Sequence, residues 1–423
     1  MKLTPDDPAL LRAHAHLLAS MGDEDAERAV RRLEALGVDT AADRSLLSGL
    51  RARAGARTEA IEAITQALEE DPSRSADWLH YAQLLEAEGE HELALEANER
   101  CLTLDRQCGE AWALKARLLS EKHGNERSAL KAATHAVALE AGGVDAIFLK
   151  AELLELEGSL VAAEETLLKA LDRQPLNGEL RARLAGRYLL QHRIEEASAL
   201  LSSTPEGIDH ALLHTVEGRL HLAHADRLRD GTGITDKSLL ESALTAFDAA
   251  LGLNRELGVA WLGLARTQRM LGDVQTAGES LSRAQRLSPD NDPSIACEQA
   301  LLALDNGDVE ASLIHVDAAE VHGQNAITAY IRGNISAAKG QLKQALYHYT
   351  DCLTLDSAHI RARLNRCSVH MGLDAAQEAL EDAEALLDQA PQLAIARIRK
   401  GDAHMHLAEW ESAAKEFKHV LEQ

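Results

Sequence analysis

Small, apolar and polar positions recur down the chain with a spacing of about 34 residues. In the block beginning at Ser75 the series runs Trp78, Tyr81, Ala82, Gly89, Ala94, Ala97 beside Asn98, Cys101 and Leu102. The block at Gly258 repeats it as Trp261, Leu264, Ala265, Gly272, Ala277, Leu281, Ala284 and Pro289, and the last block carries Gly401, Ala408, Ala413, Phe417 and Val420. Each block holds two amphipathic stretches of roughly twelve residues, long enough for a helix and too short to be stable alone in water. No strand-like alternation stands out. The pattern predicts an all-α array of helical hairpins, each burying its apolar face on its neighbours. Blocks start near residues 41, 75, 109, 144, 178, 258, 293, 326, 360 and 394, with a weaker one near 211 and a degenerate one over the first 40 residues.

Small residues at the eighth and twentieth places let the two helices of a hairpin approach closely, as Ala82 with Ala94, Ala151 with Ala163, Gly333 with Ala345 and Gly401 with Ala413. Bulky residues such as Trp78, Leu85 and Phe417 fill the remaining space. Pro72, Pro175, Pro289 and Pro391 close second helices before the next block.

Place for place, these residues resemble the tetratricopeptide repeat (TPR), over nearly the whole chain and in about eleven or twelve copies. The resemblance implies a right-handed α-solenoid superhelix whose first helices line a concave groove. It also implies a noncatalytic interaction scaffold that holds a peptide or protein segment in that groove. The groove places of the family fall here on Arg117, Arg183, Arg266, Arg269, Tyr330, Asn334, Arg361, Asn365 and Arg399. Arginine forks match carboxylates bidentately, so such a groove suits an acidic peptide. The alternative is that these side chains pair with neighbouring glutamates. Asn334, Asn365 and Arg399 match three of the five places of the carboxylate clamp of chaperone-binding TPR domains. Tyr330 and Ile395 stand where that clamp has lysines, which argues against it. The Ala- and Leu-rich phrases, such as those at 362–366 and 378–383, also look like bacterial TPR proteins of polysaccharide and exosortase-linked export. The alternative function is therefore an export or assembly component guiding a polymer or its machinery.

Charge and composition refine this picture. A formal net charge of −24 argues against nonspecific nucleic-acid binding and leaves a protein or peptide as the expected partner. Aromatic residues make up only 3% of the chain, as close helix packing demands. Five cysteines without a Cys-x-x-Cys spacing suggest neither a disulfide framework nor a zinc site, and Cys101 and Cys352 fall at core places. No apolar run reaches the length of a membrane span, and Met1 to Leu11 lacks an apolar signal core. The expected compartment is the cytoplasm, or the periplasm if an export signal has been trimmed. No cofactor is expected.

The period breaks between Pro205 and Asn254. A first helix is expected from about Asp209 to Arg229, well beyond the usual length, followed by a flexible Asp230–Asp236 loop and a second helix capped by Ser238. The preceding second helix, Ile194–Leu201, is short. The chain accordingly divides into an N-terminal array over 1–204, an irregular repeat over 205–254 and a C-terminal array over 255–423. On the long helix His214, Glu217 and His221 share one face, a weak candidate metal trio lacking ligands from a second element. Asp230-Gly231-Thr232-Gly233 resembles the aspartic-protease signature without its β-rich setting. No phosphate loop, metalloprotease helix or nucleophile elbow occurs, so catalysis is not expected. Phe417 and Val420 on the last helix face where another helix would stack, which makes self-association through an end repeat a further expectation.

Overall fold

The computed structural model describes residues 7–23, 25–121, 124–288 and 292–422, the side chain of His322 excepted. Met1, Pro289 and Gln423 lie outside them. The chain forms two compact units, Met1–Pro175 and Leu176–Gln423. In the first, five hairpins follow one another: α1 (Pro8–Met21) with α2 (Asp25–Ala35), α3 (Ala41–Arg53) with α4 (Arg57–Glu70), and α5 (Ser75–Ala87) with α6 (His91–Leu104). Then come α7 (Gly109–Ser120) with α8 (Glu126–Ala138) and α9 (Gly143–Leu156) with α10 (Leu160–Arg173).

The second unit has seven. They are α11 (Gly178–Leu190) with α12 (Ile194–Ser202), α13 (Ala211–Thr232) with α14 (Lys237–Leu253), and α15 (Gly258–Leu271) with α16 (Val274–Leu287). Next are α17 (Pro293–Asp305) with α18 (Val309–Ala319), and α19 (Ala326–Ala338) with α20 (Leu342–Leu355). The last are α21 (Ile360–Gly372) with α22 (Ala376–Gln389) and α23 (Ala394–His406) with α24 (Trp410–Glu422). The twelve hairpins match the number that the repeat pattern predicts, and the described residues contain no strand. Among them no helix is long and apolar enough to cross a membrane.

The small places act as expected: Ala82, Ala94, Ala151, Ala163 and Ala345 are fully buried. Glycine at the eighth place does something further. A Cβ on Gly333 would lie 2.4 Å from the Tyr349 ring, and one on Gly401 would lie 2.7 Å from Phe417. Phe247 is received by glycines on both sides, Gly218 of α13 and Gly263 of α15. An aromatic ring thus enters a notch that any side chain would fill, and burying it contributes about 1.5–3 kcal/mol per ring.

A second tie joins five of the first helices to the turn before them. The indoles of Trp78, Trp112 and Trp261 donate to the carbonyls of Pro72, Arg106 and Arg255, each at 2.9 Å and six residues back. Where arginine replaces tryptophan the bond persists, from Arg363 to Ser357 at 2.6 Å and from Arg397 to Pro391 at 2.9 Å.

Two expectations at the irregular repeat need correction. Helix α13 runs three residues past Arg229, so the loop shrinks to residues 233–236. The Thr232 hydroxyl donates to the Leu228 carbonyl, and the helix stops only where Gly233 turns left-handed with φ 81°. The cap of α14 is Asp236, whose carboxylate accepts from the Ser238 amide at 2.9 Å and the Ser238 hydroxyl at 2.7 Å. A carboxylate, which only accepts, wins the capping place over a hydroxyl that can donate to it. The short α12 is as expected.

Candidate functional site

In the second unit the first helices touch one another in succession, α11 to α13 to α15 and onward to α23. Ridges of their side chains therefore form one continuous face. Helix α13, with 22 residues, overruns that layer. Its last two turns reach hairpins far along the chain: Arg361 of α21 donates to Asp226 at 2.5 Å and to Asp230 at 2.8 Å, across 135 and 131 residues. Arg266 of α15 donates to the other Asp226 oxygen at 2.5 Å, and Arg229 stands 4.0 Å away. A Cβ on Gly233 would touch Leu393, just before α23, at 3.6 Å. In a solenoid whose hairpins contact their neighbours, this is a strut from one repeat to others much later.

Burial alone would raise the Asp226 carboxyl, but Arg266, Arg361 and Arg229 outweigh it and hold it below the ordinary value. Burial likewise opposes the Arg361 charge, and Asp226 with Asp230 more than restores it. Arg229 goes the other way: burial and the repulsion of Arg361 lower its pKa despite both carboxylates.

The remaining groove candidates have partners of their own. Arg117, in the first unit, is bidentate to Glu86 at 3.1 and 2.8 Å. Arg183 stands 3.5 Å from Glu179, and Arg399 stands 3.3 Å from Asp402. Arg269 reaches Glu298 at 2.7 Å and Asp305 at 3.0 Å. Asn334 accepts from the buried Tyr349 hydroxyl at 2.8 Å and from the Asn365 amide at 2.9 Å. Tyr330 stacks near His359, ring centres 4.8 Å apart. The structure thus joins Arg266 to Arg361 through Asp226, and Asn334 to Asn365. Asp226, Asp230, Arg219 and Arg229 belong to this face too, the buried Tyr349 of second helix α20 supports it through Asn334, and none of these was among the sequence candidates. The signal for Asp226, Arg229 and Asp230 was the length of α13 itself, whose last two turns run past an ordinary first helix; Arg219 stands eight residues into its block, the place that Arg266 takes in the next one.

Beside the strut lies a cleft of about 1130 Å³. Leu201, Leu220, Leu228, Leu239, Ala390 and Pro391 give it an apolar floor, and Glu217, His221, His224 and Arg227 line it with polar groups. His214, the first of the metal trio, is held by both ring nitrogens, to Glu217 and to Asp209, each at 2.9 Å. Among the described residues no three His, Cys, Asp or Glu side chains gather as a metal site. Asp230-Gly231-Thr232 is helical, with Asp230 paired to Arg361.

Comparison with known proteins agrees with this geometry. The tetratricopeptide-repeat profile matches residues 50–107 and 237–292. The fold is similar to that in the crystal structure of the APC/C hetero-tetramer Cut9–Hcn1, with a TM-score of 0.51 and 15% identity over 95% of this chain and 96% of that one. It is also similar to a monomeric mutant of IFIT1 with m7Gppp-AAAA, with a TM-score of 0.51 and 17% identity over 92% of each chain. No curated protein sequence matches the chain. Repeat spacing, hairpin packing, profile and solenoid likeness agree: residues 50–107 and 237–292 are tetratricopeptide repeats, set in a solenoid of like hairpins.

Proposed function

We propose that this protein is a noncatalytic scaffold, and that its second unit holds a protein segment along the face formed by its first helices. The observation that carries the reading is the row of ordered polar side chains on that face. Arg183, Arg266, Tyr330, Asn334, Arg361, Asn365 and Arg399 are each half-buried, most of them held in place by a hydrogen bond or ion pair. Side chains already ordered lose little entropy on association. Several weak contacts along successive helices can then add. The cleft beside α13 would receive an apolar side chain of the same segment, because its floor is leucine-rich and its edge polar.

Arg183 and Arg399 sit at the two ends of the row, each near a carboxylate of its own helix, Glu179 and Asp402. Charge reversal at both, Arg183→Glu with Arg399→Glu, tests the reading without cutting the strut. Affinity capture from source cells should lose its specific partners in that variant and keep them in Lys343→Glu, where an exposed lysine of second helix α20 is reversed. Equal capture by all three proteins would place the binding surface elsewhere.

A further inference from the structure

Arg219 shares a stripe of α13 with Asp226 and Asp230, seven and eleven residues later. At about 100° per residue the three fall within roughly 40° of arc. Its situation differs from theirs. No hydrogen bond or ion pair reaches Arg219 among the described residues, and the charge that acts on it most is that of Arg266. The guanidinium lies over Gly186 of α11, where a Cβ would sit 3.7 Å from Nη1. A longer side chain at 186 would cover it. Burial lowers the Arg219 pKa and Arg266 lowers it further.

A half-buried guanidinium without an acceptor is costly, and a like charge beside it adds to the cost. Arg266 gives its own charge to Asp226. Of Arg219, Arg229, Arg266 and Arg361, Arg219 is the one that no carboxylate reaches, so the group without a partner here carries one positive charge. That matches a carboxylate better than a dianionic phosphate, which Asp226 would also repel.

We propose that Arg219 and Arg266 form a receptor for a carboxylate carried by an acidic segment on the first-helix face of the second unit. The inference rests on the reading that a protein segment binds this face. Arg219 supplies the fork, and Arg266 shares a guanidinium already oriented by Asp226.

The test uses the full chain and two labelled twelve-residue peptides, a Glu-Gly-Ser repeat and its Gln-Gly-Ser counterpart, in fluorescence polarisation at low and moderate salt. The acidic peptide should bind about tenfold more tightly, as one charge-assisted pair predicts. That preference should vanish in Arg219→Gln and partly return in Arg219→Lys, with helical content unchanged. Preference kept in Arg219→Gln would overturn the receptor and leave the peptide face standing. A second arm maps phenylglyoxal modification of Arg219 with and without acetate, a free monocarboxylate. If neither peptide binds yet acetate protects Arg219, the carboxylate receptor survives and the peptide-binding reading falls. Neither binding nor protection overturns both.

Discussion

Asp226 and Arg361 allow a sharp test of the strut, because three hairpins separate their own and a purely nearest-neighbour array would leave them energetically independent. Unit charges 2.5 Å apart interact by about 7 kcal/mol at an effective dielectric near 20. Most of that is returned as desolvation. The pair is also partly wet, with side chains 20% and 29% exposed, so solvent screening reduces it further. What remains is the net value of a charge-assisted hydrogen bond, about 1.5–3 kcal/mol, shared with Arg266 on the other carboxylate oxygen. The expected coupling between Asp226→Asn and Arg361→Gln is thus about 1–2 kcal/mol. Urea unfolding of the wild type, both single variants and the double variant measures it. Hydrogen exchange at residues 226–232 should accelerate in each single variant and no further in the double. Free energies that add within about 0.5 kcal/mol, the scatter of independent sites, would refute the strut as an energetic link.

Three other outcomes follow from particular residues. Burial pushes the thiols of Cys101, Cys352 and Cys367 up to about 12 and that of Cys297 up to about 11, so in the native protein Cys108, which is half-buried, should be the first alkylated by iodoacetamide; labelling spread evenly over all five would contradict the packing. Ala408 is exposed and left-handed, with φ 58°, at the place where Gly89 and Gly272 stand in other repeats, so Ala408→Gly should stabilise the protein by about 0.5–1 kcal/mol in thermal unfolding, and a loss would mean the turn is not as described. Burial lowers the His214 ring, but the carboxylates of Asp209 and Glu217 more than offset it and raise its pKa. A raised histidine stabilises fully below its unfolded value of about 6.5 and loses that contribution as pH climbs through the folded one. The stability difference between wild type and His214→Gln should therefore be larger at pH 6 than at pH 8.5, and a flat difference would count against the two ion pairs.

The repeat was legible in the sequence because its physics is local. Ala82 must face Ala94 wherever two such helices touch, and a left-handed turn residue must follow each first helix, so a 34-residue period writes hairpin after hairpin without reference to anything distant. The same reading found Arg266 and Arg361 one at a time, by their places in a block. It ended α13 at Arg229, since Asp230-Gly231-Thr232-Gly233 has the composition of a loop and propensity alone offers no reason to continue. Helix persists there where Arg361, 131 residues on, grips Asp230. Tertiary structure alone decided that these two arginines share one carboxylate, that Asn334 and Asn365 bond each other, and that Arg219 is left without an acceptor. Periodicity records which face a residue takes within its own hairpin. It carries nothing about how far the array curves before one repeat meets another, and that distance settles which charges become partners.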